Sequence, residues 1–179
     1  MSKTRGNVFL KELKPIDYKI LFELVKNSRL SDRQLSGILG VTQPTVSRRR
    51  VILEKEGLLE YSSIPNLAEL GFEILAFTFG NWDRERFPDT KAQEMRDFIA
   101  EHPNIIFVST GRGSGWDRMG ISVHKDYGDY NKFLQEFRTE WGQYFSSLSS
   151  FIISFRSDNI LRNISFKYVM GTLKEKGLK

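Results

Sequence analysis

The chain has 179 residues, 40% of them apolar and 27% charged, which are proportions of a globular protein and exclude a fibrous or wholly disordered one. It contains no cysteine, so a disulfide framework, a thiolate metal site and a cysteine nucleophile are excluded. No apolar run approaches 18 residues, and no apolar leader segment follows Met1. We therefore expect a soluble protein of the cytoplasm.

The positive charge is confined to the first third of the chain. Residues 1–62 carry 12 Lys and Arg against 7 Asp and Glu, whereas residues 63–179 carry 15 of each. The formal net charge of +5 therefore belongs entirely to the first segment. A basic segment joined to a neutral one favours a polyanionic partner, although a solvated surface without a partner has the same composition.

Three short helices are predicted in this basic segment. The first begins at Pro15, keeps apolar residues at helical spacing to Val25, and ends at 27–28. The second begins at Ser31, which forms a capping-box pattern with Gln34, and ends at Gly40.

The third helix follows after a short turn. Thr42 is its expected N-cap, Pro44 is tolerated in its first turn, and Gly57 ends it. Two helices joined by a glycine-containing turn of this length form a helix-turn-helix unit. Residues 58–64 are expected to form a short wing hairpin, which makes the domain a winged helix-turn-helix.

The third helix carries the polar and basic side chains that a recognition helix needs. We expect Gln43, Ser47 and Arg48, early in the helix, to contact base edges, and Thr45, Arg49, Arg50 and the wing to contact phosphates. An arginine run is also common on solvated surfaces. The order of caps, glycines and basic helix favours DNA binding over that alternative.

The remaining two thirds predict an α+β domain. Strands are expected at 72–79, 105–110, 118–124 and 148–155, and helices at 90–102 and 130–145, after a linking helical turn at 66–71. This βαββαβ order is that of a ferredoxin-like sandwich. Apolar alternation at 164–170 predicts one further strand, and residues 111–115 are expected to form a flexible hairpin loop.

One face of this sheet is predicted to be covered by a second copy of the chain. The two helices cover only one face, and too many large apolar side chains remain for the other face to be exposed: Phe77, Phe79, Phe151, Phe155, Phe166 and Tyr168. A two-fold homodimer is the simplest cover.

The sequence offers little catalytic chemistry. The two histidines, His102 and His124, lack the i, i+4 spacing of a helical metal site, and no helix follows the 111–115 glycines as a phosphate loop requires. We therefore expect no catalytic residues, no metal and no cofactor. The glycine-rich segment with Arg112 is suited to binding a small anion.

The chain resembles the Lrp/AsnC (feast/famine) family of transcription regulators over nearly its whole length, most strongly at 16–62. The matching residues are Asp17, Ile20, Leu21, Leu24, Asn27, Ser28, Arg29, Leu30, Ser31, Leu35, Gly40, Val41, Thr42, Thr45, Val46, Arg49, Leu53, Glu54, Gly57, Leu58 and Leu59. Arg50 departs from the family, which usually has an aliphatic residue there. The family's effector loop is similar to Gly115-Trp116-Asp117 in this chain.

The resemblance implies a sequence-specific regulator that binds double-stranded DNA as a homodimer or higher oligomer and responds to an amino acid or related metabolite. The implied effector residues are Arg112, Gly113, Ser114, Gly115 and Asp117. The expected domains are 8–64 and 72–170, with a linker at 65–71 and a tail at 171–179. Two alternatives remain at this point: a sirohaem-decarboxylase-like enzyme on the same two domains, and an adaptor that binds other proteins.

Overall fold

The computed structural model describes residues 13–156, 160–162 and 164–169. These form two compact units, one containing the described residues up to Ile64 together with 164–169, and the other containing 65–162. The predicted domain start at residue 8 and the tail at 171–179 lie outside the described residues. No helix in the described part of the chain has the length and apolarity to cross a membrane.

The first unit is built from the three predicted helices: α1 (Pro15–Lys26), α2 (Asp32–Leu39) and α3 (Gln43–Lys55). One apolar stripe from each helix meets in a shared core. Its members, all at most 2% exposed, are Ile20, Leu24, Leu35, Val46 and Leu53. Burial of this stripe supplies the helical stability that such short helices lack in isolation.

The helix ends follow the sequence closely. The Gln34 N–H donates to Ser31 Oγ at 3.3 Å, and the Ser31 N–H donates back to Gln34 Oε1 at 2.9 Å, so the capping box is confirmed. Gly40 takes the left-handed conformation (φ 65°) that closes α2. Thr42 is the N-cap of α3, but its hydroxyl bonds the Thr45 hydroxyl at 2.9 Å instead of a backbone N–H.

The predicted wing hairpin at 58–64 is not formed, since these residues have no strand partner in the structure. The N–H groups of Leu58 and Leu59 both donate to the Leu53 carbonyl, at 2.9 and 3.2 Å. These bonds wrap the chain around the end of α3 after Gly57, and Pro65 then offers no donor at all. The segment leaves α3 as an extended chain.

The second unit contains six elements in βαββαβ order: β1 (Ile74–Trp82), α4 (Ala92–Glu101), β2 (Ile105–Gly113), β3 (Trp116–His124), α5 (Tyr127–Trp141) and β4 (Phe145–Ser154). The strands pair antiparallel in the order β2-β3-β1-β4, which confirms the ferredoxin-like fold. The predicted turn before β1 is also present, closed by Gly71 at φ 87°.

The hairpin predicted at 111–115 is confirmed, but its loop is a tight turn and not a flexible one. β2 continues to Gly113 and β3 begins at Trp116, so only Ser114 and Gly115 join the two strands. Both residues have positive φ, at 50° and 80°, which is the geometry of a tight two-residue hairpin turn. Gly115 permits the turn, and residues 111–113 belong to β2.

The two faces of the sheet differ in their cover. Ile74 and Ala76 of β1 are buried against Tyr130 and Leu134 of α5. Alternate residues point to the opposite face, where Phe77 pairs in register with Phe151, which is 63% exposed. The predicted asymmetry between a helix-covered face and a partly exposed aromatic face is therefore present.

The further strand predicted at 164–170 is wrong for the residues that the structure describes. Phe166–Tyr168 forms one 3₁₀ turn beside α1, with the Lys167 N–H donating to Ser165 Oγ at 3.3 Å. Met170 lies outside the described residues. Apolar alternation alone does not make a strand without a neighbouring edge to pair with.

His124, at the end of β3, is fully buried and hydrogen-bonded on both ring nitrogens. Nε2 lies 2.8 Å from Ser122 Oγ, and Nδ1 lies 3.3 Å from the Asn104 amide nitrogen. Because the amide nitrogen can only donate, Nδ1 accepts and Nε2 carries the proton in the neutral ring. Burial lowers the pKa of His124 below its ordinary 6.5, against an opposing effect of Asp129.

We expect this histidine to make the second unit sensitive to acid. The unfolded chain regains the ordinary pKa and so binds more protons than the folded chain below pH 6.5. The free energy of unfolding should then decrease as pH falls below 6.5, by at most about 1.4 kcal/mol per pH unit from this group. Denaturant unfolding at several pH values measures the slope. His124→Gln should reduce the slope, and His102→Gln should reduce it less, because the charge of His102 lowers the pKa of His124 only as a minor cause beside burial.

Candidate nucleic-acid interface

The outer surface of α3 carries the most direct candidates for DNA contact. Gln43 and Arg48 are exposed, and Ser47 is partly exposed. Among the described residues the structure records no ion pair for the Arg48 side chain. These side chains offer amide, hydroxyl and guanidinium groups at one end of the helix, where they are available to an external partner.

Arg49 points in another direction and is held inside the unit. Its Nε donates to Asp17 Oδ1 at 2.6 Å and a terminal nitrogen donates to the other carboxylate oxygen. Asp17 is completely buried and also accepts the Lys14 N–H at 2.7 Å. The bond to Asp17 raises the pKa of Arg49. Arg49 therefore has a structural role that joins α1 to α3, and its phosphate contact stays a prediction.

Arg50 is held in a similar way on the other side of the helix. It donates to Asp32 Oδ1 and to the Leu30 carbonyl, both at 2.7 Å, and its side chain is 17% exposed. It thus connects α3 to the start of α2. These bonds give Arg50 a structural role at the position where the sequence departs from the family that it resembles, and its phosphate contact also stays a prediction.

The helix period explains why three adjacent arginines behave differently. At about 100° per residue, Arg48 lies about 160° from the fully buried Val46 around the helix axis. Arg49 and Arg50 lie only about 60° and 40° from it, so they border the core. The sequence-based expectation treats Arg49 and Arg50 alike as phosphate contacts, because it assigns no buried position on α3 against which their direction could be measured. Thr45, partly buried, has its hydroxyl paired with Thr42.

The second unit has a separate charged pocket at the β2–β3 hairpin. Its lining brings together two of the expected effector residues, Arg112 and Asp117, with two arginines that sequence analysis missed, Arg84 and Arg118. Asp117 accepts the Trp82 N–H at 3.0 Å, which fixes its side chain against β1. Three guanidinium groups against one carboxylate make the pocket suited to an anion.

The other expected effector residues have different positions. Gly113 lines a neighbouring hollow that also includes Phe107, whereas Ser114 and Gly115 form the hairpin turn itself. No sequence signal points to Arg84, because it lies on the connection after β1, far from the glycine-rich segment.

The two histidines are not part of a metal site within the described chain. No cluster of three or more His, Asp or Glu side chains suited to a metal ion is found among the residues that the structure describes. His102 instead has its Nδ1 beside the Asn104 N–H at 3.3 Å and its ring against Phe133.

Comparisons with known proteins agree with this division. Residues 13–60 match a family model described as "Winged helix-turn-helix DNA-binding". An HTH-type transcriptional regulator of Methanocaldococcus jannaschii is 32% identical over 123 residues, which cover 68% of this chain and 78% of the relative. The regulator LrpA of Bacillus subtilis is 44% identical over 63 residues, which cover 35% of this chain and 46% of that relative.

Solved structures show the same fold over most of the chain. An AsnC family transcriptional regulator from Agrobacterium tumefaciens has a TM-score of 0.70 at 16% identity and covers 87% of this chain and 99% of its own. A transcriptional regulator from Neisseria meningitidis, solved as an L-Met complex, has a TM-score of 0.71 at 18% identity, covering 86% and 95%.

The two relatives that are similar in sequence are named as HTH-type transcriptional regulators, and the matched family model describes a DNA-binding unit. The chain belongs to the Lrp/AsnC family of transcription regulators.

Substitutions of Arg48 and Arg49 should have different effects on the free energy of unfolding, measured without DNA. Arg49→Ala leaves Asp17 buried without its cationic partner, so the free energy of unfolding of the helical unit should fall by about 3 kcal/mol. Arg48→Ala, on the exposed surface, should change it by less than about 0.5 kcal/mol. Thermal unfolding followed by circular dichroism gives both values. Equal stability of the two variants would contradict the structural role of Arg49 and favour its predicted contact with DNA.

Proposed function

We propose that the protein is a sequence-specific regulator that acts in the cytoplasm, binds duplex DNA as a homodimer or higher oligomer, and is modulated by a small metabolite. The observation that carries this proposal is the exposed set of Gln43, Ser47 and Arg48 on α3, beside two arginines that are used to hold that helix in place.

In this proposal α3 enters the major groove with its first two turns. Arg48 donates two hydrogen bonds to a guanine edge, and Gln43 and Ser47 contact neighbouring base edges or phosphates. Thr45 contacts the DNA backbone. Asp17 and Asp32 act through the arginines that they bind, because each ion pair fixes the rotation of α3. Two copies of the helix would contact successive major grooves about 34 Å apart.

The exposed sheet face supports a homodimer. Phe107 and Phe151 lie on this face and are 47% and 63% exposed, next to the half-buried Phe77, Phe79 and Met119. An apolar patch of this kind is unusual on a monomer surface and is self-complementary across a two-fold axis. A homodimer also supplies the two recognition helices that two successive major grooves require.

The hairpin pocket supports modulation by a small anion. Arg84, Arg112 and Arg118 supply donors for a carboxylate, and Asp117 can accept from an ammonium group of an amino acid. The Neisseria regulator of similar fold was solved with an amino acid, L-Met. The alternative of a protein adaptor needs no free polar surface on α3, so DNA binding distinguishes the two.

Arg48 should determine which DNA sequence the protein prefers. Genomic DNA fragments selected by the protein would provide the specific site, and Arg48→Ala should then weaken binding to that site by roughly 1–3 kcal/mol while changing binding to random duplex much less. The measurement is a fluorescence anisotropy titration at several salt concentrations, where log affinity falls linearly with log salt. Arg138→Ala, an exposed arginine on α5, is the charge-matched control.

Two results would contradict the DNA proposal. Equal weakening on specific and random duplex would make Arg48 a phosphate contact. If binding of the wild-type protein to duplex DNA does not weaken between low and moderate salt, the proposal that its partner is a polyanion is wrong.

The dimer proposal predicts that a charge on the open sheet face separates the subunits. Phe151→Asp should convert a dimer of the full chain into a folded monomer, because two carboxylates would be buried against an apolar face. Tyr127→Asp, at a comparably exposed position (60%) at the start of α5, should leave the dimer intact. Sedimentation velocity measures both. A monomeric wild-type chain would refute the proposal.

A further inference from the structure

The helix-facing side of the two central strands carries unusually small residues. Ala76, Thr78 and Gly80 follow one another on that face of β1, and Gly120 and Ser122 do so on β3. The register places Thr78 opposite Gly120 and Ala76 opposite Ser122, so small residues lie side by side across both strands. The helices above them therefore have little to pack against.

A cavity of about 200 Å³ occupies the resulting space inside the second unit. Met95 and Ile99 of α4 and Phe133 and Phe137 of α5 close it on the helix side. The cavity is partly open to solvent, and without a ligand its apolar lining lacks packing partners on one side. An apolar cavity of about 150 Å³ lined by aliphatic and aromatic side chains takes up benzene, so this one has room for a tail of roughly seven or eight carbon atoms.

The cavity meets the charged hairpin pocket at one end. Thr110 and Arg118 line both spaces, and the Arg118 guanidinium lies 5.3 Å from the Trp82 ring. One terminal nitrogen of Arg118 donates to the Asp117 carbonyl at 3.0 Å and lies 3.6 Å from Asp117 Oδ1, so the N–H groups of Nε and of the other terminal nitrogen are left for a ligand. Arg84 and Arg112 add positive charge just outside. An apolar chamber thus ends at a cationic entrance.

We propose that this cavity binds an apolar monocarboxylate, with its hydrocarbon tail between sheet and helices and its carboxylate on Arg118. The proposal deepens the effector site proposed above and rests on it for the anionic end, but it places the larger part of the ligand inside one subunit. The apolar lining favours a hydrocarbon tail over a polar amino-acid side chain, since a buried polar group without a partner is costly.

Gly120 provides a variant that fills the cavity. A Cβ built at this position meets only ordinary contacts, the Phe107 carbonyl and a Val108 methyl, both at 3.8 Å. Gly120→Leu therefore projects its side chain into the void and should raise the melting temperature of the free protein. Gly80 is unsuitable for this purpose, because a Cβ there would lie 2.6 Å from the Phe145 ring.

Isothermal titration of the full chain with octanoate, without DNA, tests the proposal. Octanoate should bind at one saturable site per chain. Butanoate, four methylenes shorter, should bind roughly two-hundred-fold more weakly, and octan-1-ol at least about tenfold more weakly because it lacks the charge. Gly120→Leu should abolish octanoate binding. Gly37→Leu, at an exposed glycine of α2 with nothing within 4 Å, is the matched control and should bind as the wild type does.

Other results would overturn the proposal. These are the absence of saturable octanoate binding, equal octanoate binding by Gly120→Leu, or much tighter binding of 2-aminooctanoate, which would indicate an amino-acid site. If Gly120→Leu does not fold, Gly120→Ala makes a smaller change at the same position. Gly120→Ala should weaken octanoate binding. Unchanged octanoate binding by Gly120→Ala would also contradict the proposed cavity site. Because DNA is absent from this assay, a failure of octanoate to bind is distinguishable from a failure of DNA binding.

Discussion

The buried ion pair between Asp17 and Arg49 is the constraint on which the proposed DNA-binding surface depends. A carboxylate at 0% exposure needs compensation, and Asp17 obtains it from the Arg49 guanidinium and the Lys14 N–H. Because one partner lies on α1 and the other on α3, the pair sets the rotation of the third helix about its own axis. The bond of Arg50 to Asp32 sets the same rotation from α2. With two positions of the helix fixed, Arg48 is directed outward. Removal of one partner would leave an uncompensated buried charge, which is why the arrangement is specific.

Much of the fold could be predicted from local signals in the sequence. The capping box at Ser31, the left-handed glycines at 40 and 57 and the apolar helix stripes gave helix limits that the structure confirms to within a few residues. The βαββαβ order led directly to the observed strand order. Local sequence patterns predicted the structure correctly where a single helix or turn satisfies its own hydrogen bonds. They failed at 58–64 and 164–170, where a strand would have needed an edge to pair with.

The candidate sites were less predictable because their partners are distant in the sequence. Arg50 and Asp32 are 18 residues apart, and no local pattern links them. Arg84 follows β1 and Arg112 lies near the end of β2, so the two meet only because these parts of the chain approach each other at one end of the sheet. The cavity depends on which face of β1 and β3 their small residues share, and this follows from the register of Thr78 with Gly120. The arginine roles on α3 were accessible in principle, since the helical phase relative to Val46 separates Arg48 from its neighbours.

The three adjacent arginines also divide two tasks between them, the stability of the fold and the proposed recognition of DNA. In binding proteins these two requirements often oppose each other. Arg49 and Arg50 maintain the helix, and Arg48 with Gln43 and Ser47 face outward without internal bonds that stability requires. If α3 binds DNA as proposed above, exchange of the outward residues would alter which DNA sequence is preferred at little cost to folding, since surface substitutions away from such contacts are nearly neutral. A lineage of chains built in this way can diverge in the operators that it recognises while retaining one scaffold. The inner arginines are the part of the motif that such divergence must leave unchanged.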